Sequence, residues 1–114
     1  MTVAALGGAC VIRVAGEIDL ATVPLLVKAL RRTEQHDIDP VVLDLSNVDF
    51  LGMAGLNALL TAADQARTRN RRFAVVAATK PILMILHLTV AEETLACYPS
   101  LDAALHALEQ PPRH

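Results

Sequence analysis

Residues 42–56, Val-Leu-Asp-Leu-Ser-Asn-Val-Asp-Phe-Leu-Gly-Met-Ala-Gly-Leu, constrain the fold of this chain more than any other stretch. A run of branched apolar residues reads as a buried strand. It enters a short turn and then a segment with apolar residues at helical spacing. Strand, turn and helix in that order are the repeating unit of α/β proteins, which often place a polar or anion-binding group at the turn. Here the turn reads Gly52-Met53-Ala54-Gly55 and carries no hydroxyl, thiol or charge.

The rest of the chain supplies the other units. Thr2–Leu6 and Cys10–Ala15 read as strands joined by a Gly7-Gly8 hairpin turn, with the chain leaving the second strand at Gly16-Glu17-Ile18-Asp19. Thr22 is placed to cap a helix over Val23–Gln35, with Pro24 in its first turn, where a missing N–H is harmless. Val23, Leu26, Val27 and Leu30 form its apolar face. After the loop His36–Pro40, Val41–Leu45 is apolar enough for a central strand.

Leu56, Leu59, Leu60 and Ala63 line a second helix that ends near Arg69-Asn70. The sequence then predicts a strand at Phe73–Ala78, a helix at Ile82–Leu88 opened by Pro81, a strand at Leu95–Tyr98, and a helix at Leu101–Leu108 capped by Ser100. Right-handed crossovers make all but the first strand pair parallel. The expectation is an α/β sandwich: a mixed, mostly parallel sheet of about five strands with four helices. It forms one domain over 1–109, followed by a flexible tail at 110–114.

Composition narrows function. Aromatic residues make up 3% of the 114, too few for base-stacking platforms, and the net charge of −2 gives nucleic acid no electrostatic purchase. The longest apolar run, from Pro81 to Val90, is about half of what crossing a bilayer requires. The first residues, Met-Thr-Val-Ala-Ala-Leu, lack a basic leader region. The expectation is a cytoplasmic protein with no direct membrane insertion.

No set of residues composes a catalytic centre, metal site or cofactor cradle, so the expectation is a non-enzyme without a cofactor. Ser46 lacks the context of a nucleophile elbow and reads as a turn hydroxyl, and Asp44 with Asp49 makes a poor acid–base or metal pair. His36, His87, His106 and His114 contain no i, i+4 pair. Arg67, Arg69, Arg71 and Arg72 read as complement to a helix dipole, with a phosphate or acidic-lipid patch as the alternative. Cys10 and Cys97 read as small buried residues, with a redox pair as the sharper alternative. Ile82-Leu83-Met84-Ile85-Leu86 is apolar on every side of a short helix, so Leu83, Met84 or Leu88 is expected at the surface. That helix would then offer a face to a partner or to a second copy in a homodimer.

Two motifs together resemble the STAS domains of the anti-sigma factor antagonist family. Gly16-Glu17-Ile18-Asp19 followed by Thr22, Pro24 and Leu25 is similar to its GELDxxTxPxL signature. Val42 to Leu51 is similar to its LDLSxVxFI strand. The segment from Ile85 through Tyr98-Pro99-Ser100-Leu101 to Leu105 follows the family's ending, so the resemblance spans essentially the whole chain.

It implies partner switching: a dephosphorylated antagonist binds an anti-sigma factor of kinase-like fold and frees a sigma factor for transcription. Phosphorylation of a serine at the start of the second helix undoes the complex. In this chain Gly52 stands for the family's aspartate, Met53 for its phosphoacceptor serine and Ala54 for the adjacent Ser/Thr, while Gly55 and Leu56 are kept. Val90 replaces a glycine common after Thr89. The resemblance implies that Phe50, Leu51, Gly52, Met53, Ala54, Gly55 and Asn57 bind the partner, without a phosphate switch at Met53. The alternatives are an accessory STAS subunit of a membrane lipid or solute transporter, and a ligand-sensing module with a small apolar pocket.

Overall fold

The computed structural model describes residues 1–88 and 95–109. Strands β1 (Thr2–Leu6) and β2 (Ala9–Ile18) form a hairpin, and helix α1 (Val23–Gln35) leads to β3 (Val41–Leu51). Helix α2 (Met53–Thr68), β4 (Phe73–Val76), α3 (Lys80–Leu88), β5 (Ala96–Tyr98) and α4 (Leu101–Glu109) follow. One sheet takes the order β1-β2-β3-β4-β5; β1 runs antiparallel to β2 and every other neighbouring pair is parallel. Among the described residues the expected α/β sandwich of five mixed strands and four helices is the observed one. The 110–114 tail and the Thr89–Val90 departure lie outside the described residues.

Alternation along the strands sorts the core into two layers. Ile12, Val14, Val41, Leu43, Leu45 and Val75 face Leu26 and Leu30 of α1, Leu56 and Leu59 of α2, and Ile82 and Leu86 of α3. Val11, Val42, Ala74 and Val76 face Ala104 of α4 in a smaller second layer. Each fully buried Leu or Ile contributes about 1.5–3 kcal/mol, so the first layer dominates stability. In α2 the deepest positions are Gly55, Leu56, Leu59, Ala62 and Ala66, whereas Leu60 and Ala63 are half-buried. The inner face is thus rotated from the expected one. Val23 and Val27 of α1 are likewise half-buried.

Two strands run further than their sequences predict. β2 does not end at Gly16: Gly16 takes φ +85° between two register shifts, and pairing with β3 resumes at Glu17↔Phe50 and Ile18↔Leu51. The extra residue at each bulge keeps Ile18 and Leu51 facing the core. Ser46 accordingly lies within β3 and not in a turn. Its hydroxyl donates to Asp44 Oδ1 (2.5 Å), as does its N–H (3.0 Å). β4 pairs with β3 only as far as Asp44, so the remainder of β3 projects beyond it. The Thr79 hydroxyl donates to the Val48 carbonyl (2.6 Å) and ties that projecting part to the start of α3.

Candidate functional site

The projecting ends of β2 and β3 each release the chain into a short connection before a helix, and the two connections face one another. The first is braced from within. Asp19 Oδ1 accepts from the N–H groups of Ala21 (3.0 Å) and Thr22 (3.1 Å), and Thr22 Oγ1 accepts from Asp19 N–H (2.9 Å). Thr22 Oγ1 also donates to the Glu17 carbonyl (3.0 Å). Thr22 itself has helical φ/ψ and makes no capping bond to α1, so its expected role passes to Asp19, three residues upstream. That bracing holds Leu20 out in solvent, 82% exposed.

The second connection is anchored by a Gly52 N–H bond to the Ile18 carbonyl (2.9 Å). Gly52 occupies the N-cap of α2 in extended conformation, and no side chain caps the first turn. Met53 is therefore the first helical residue, pointing outward and 69% exposed, with Phe50 beside it at 49%. Between the connections lies an open, mostly apolar cleft of about 630 Å³, walled by Asp19–Ala21 on one side and by Phe50 and Gly52–Gly55 on the other.

The cleft unites Phe50, Gly52, Met53, Ala54 and Gly55 from the sequence-based set. Leu51 is a correction: it is 3% exposed and packed in the main core, so it supports the cleft from beneath and offers no surface. Gly55 is buried as well, its backbone forming the cleft floor. Asn57 lies one turn on, in an adjoining groove of about 270 Å³ between α1 and α2 that shares Ala54 with the cleft. Leu20 and Asp19 are the residues missed by sequence reasoning.

The other candidates separate. Cys10 pairs in register with Val41, Val41 with Phe73, and Cys97 with Val75, so β3 and β4 lie between the two thiols. Three strand spacings amount to roughly 14 Å, against the roughly 7 Å a disulfide tolerates between Cα atoms. The redox pair within one chain is thereby excluded, and burial pushes the Cys10 thiol up from its ordinary pKa. Asp44 is buried beside Arg13 (3.5 Å), while Asp49 is exposed. No group of acidic, histidine or cysteine side chains among the described residues could hold a metal ion.

The arginine cluster is dispersed. Arg67 pairs with Asp64 (2.8 Å), Arg69 with Asp37 (4.0 Å) and Arg72 with Asp39 (3.1 Å), and Arg71 donates to the Thr33 carbonyl (3.3 Å). No phosphate patch is assembled there. Leu83 and Met84 of α3 are half-exposed, as expected, while Ile82 and Leu86 are buried. No helix of the described residues is long and apolar enough to cross a membrane.

A mixed five-stranded sheet with helices packed against it and an apolar cleft at the projecting ends of β2 and β3 defines a small α/β fold. The chain belongs to the STAS domain family, whose model matches residues 1–104. It is 33% identical over 105 residues to the anti-sigma-F factor antagonist RsfB of Mycobacterium tuberculosis, covering 92% of this chain and 85% of that protein. The crystal structure of an anti-sigma factor antagonist from Mycobacterium paratuberculosis superposes with a TM-score of 0.85 at 35% identity, over 96% of this chain and 92% of that one. A putative anti-sigma factor antagonist from Thermotoga maritima shares the fold, with a TM-score of 0.88 at 14% identity over 96% and 94% of the two chains.

Proposed function

We propose that this protein is an anti-sigma factor antagonist that docks on an anti-sigma factor through the cleft between Leu20 and Met53. Binding frees a sigma factor, and phosphorylation at the start of α2 does not switch it. One observation carries the reading: Leu20, Phe50 and Met53, each largely exposed, converge on one cleft next to a helix start. A concentration of exposed apolar surface in a concave site marks a docking surface. Its relatives' names supply the class of partner. A thioether at position 53 has no oxygen to accept phosphate. In a serine-bearing relative, a phosphate there would bring about two negative charges into the interface.

The test is titration calorimetry of the purified chain against purified anti-sigma factors, before and after incubation with ATP and Mg²⁺. The expected result is binding that Met53→Asp abolishes and that ATP leaves unchanged. Undiminished binding of Met53→Asp would reject this cleft, because an unpaired carboxylate in an apolar interface costs several kcal/mol. Loss of wild-type binding after ATP treatment, with phosphate found on the chain, would reject the absence of a switch.

A further inference from the structure

Among the described residues four arginines are ion-paired, whereas Lys28, Arg31 and Arg32 on α1 and Lys80 at the start of α3 enter no ion pair. Arg13, Arg67, Arg69 and Arg72 each sit against an aspartate, and Arg71 rests on a helix-end carbonyl. Lys28, Arg31 and Arg32 are all exposed on successive turns of α1 and enter none of the ion pairs of the described residues. They stand together although the whole chain carries a net charge of −2. Glu34 is the carboxylate nearest in sequence, and it lies against the side-chain amide of Gln65.

The position of this basic face matters as much as its sign. Arg31 lines the groove between α1 and α2 together with Asn57 and Ala54. Ala54 is also part of the wall of the Met53 cleft, so cleft, groove and basic face form one continuous surface. We propose that the docking surface extends from Met53 across this groove and that the partner is a protein that lays a carboxylate-bearing segment over Lys28, Arg31 and Arg32. The inference rests on the docking reading above and adds to it the charge of the partner's surface. Three cations within roughly 6 Å of helix rise suit one acidic loop or helix turn. They are too few for the many phosphate contacts that nucleic-acid binding draws on. Charges at the rim of an apolar contact chiefly govern encounter rate and partner choice.

The test uses the full chain and, as probes, the purified kinase-fold anti-sigma factors encoded in the same genome. Association rates are measured at 50 mM and 500 mM salt for wild type, Met53→Asp, and two triple variants. In one, Lys28, Arg31 and Arg32 become Glu; in the other they become Gln, which keeps the fold safe from like-charge effects. The expected result is loss of binding for Met53→Asp. At low salt the Glu variant should associate at least about tenfold more slowly than wild type and the Gln variant at an intermediate rate. At high salt the rates converge, because screening then acts over a few ångströms.

Wild-type rates in both triple variants would overturn this proposal and leave the docking cleft standing. Unaltered binding of Met53→Asp, or no binding by the wild-type chain, would overturn the docking reading and this proposal with it. A parallel arm measures co-sedimentation with vesicles of phosphatidylcholine and phosphatidylglycerol at 3:1. Vesicle binding lost in the Glu variant, with unchanged protein association, would assign the basic face to a membrane and overturn the proposal.

Discussion

Gly55 lies flat against Ile18: a Cβ built on Gly55 would stand 2.6 Å from Ile18 Cγ2 and 2.7 Å from Leu51 Cδ1. The end of β2, the end of β3 and the first turn of α2 therefore meet at one atom-tight point beneath the cleft. Helix propensity alone favours alanine at this position by about 1 kcal/mol. Overpacking costs about 1–3 kcal/mol in a close-packed core and outweighs that gain, because Ile18 and Leu51 are themselves fully enclosed. Gly55→Ala should be less stable than wild type by up to about 2 kcal/mol in urea denaturation with an unchanged m value. A variant as stable as wild type or more stable would mean that α2 moves freely away from Ile18.

Asp19 is the second brace. It accepts two backbone N–H groups ahead of α1 and holds the turn that presents Leu20. Replacement by alanine removes the partner of the Ala21 N–H, leaves the Thr22 N–H only its bond to the residue 19 carbonyl (3.1 Å), and should cost about 1 kcal/mol, in the range of lost caps. Because the loop is one wall of the cleft, hydrogen exchange at Ala21 and Thr22 should accelerate in Asp19→Ala while exchange in β3 and β4 stays slow. Uniform acceleration across the sheet would show instead that Asp19 stabilises the domain as a whole.

The frame of this region was legible in the sequence, and its working surface was less so. Branched apolar runs separated by turn residues give the element order, since burial on one or both sheet faces dictates the side-chain pattern. Ser100 is an example of a local signal that holds: its hydroxyl accepts from the Ala103 N–H (3.1 Å) at the start of α4. Ser46 and Thr22 are examples that do not. A serine or threonine after an apolar run normally marks a turn or cap. Here β2 and β3 brace one another through long-range pairing, and the strand continues through Ser46 to Leu51. The Leu20 wall of the cleft depends on the same pairing, which no local pattern around residue 20 encodes.

Gly52 offers a gain of stability. Its φ of −76° is unstrained, and a Cβ there would meet only ordinary contacts, 3.5 Å from the Ile18 carbonyl and 3.6 Å from the Phe50 ring. The first turn of α2 has no acidic residue and no side-chain cap. An aspartate would accept from the uncapped N–H groups and complement the helix dipole, together worth about 0.5–1 kcal/mol over glycine. Gly52→Asp should raise Tm by about 2–6 °C in a calorimetric scan. The same charge would border the cleft, so partner affinity is expected to change independently of stability. An unchanged or lowered Tm would indicate that the Ile18 carbonyl and Phe50 leave no capping rotamer.

The cysteines provide the last test, on reactivity. Desolvation by burial raises the Cys10 pKa, which leaves less nucleophilic thiolate at neutral pH than an ordinary cysteine has. With the folded-state pKa raised, the thiol is stably protonated below the unfolded-state value. The folded state then loses relative stability as pH climbs through and beyond that value. At pH 7.5, iodoacetamide should therefore modify Cys10 more slowly in the native protein than in urea. Mild oxidation should leave the intact mass without the 2 Da loss of an internal bridge, since β3 and β4 stand between Cys10 and Cys97. A native alkylation rate equal to that in urea would place Cys10 in solvent. A bridged monomer would require the sheet to come apart, contradicting the strand order itself.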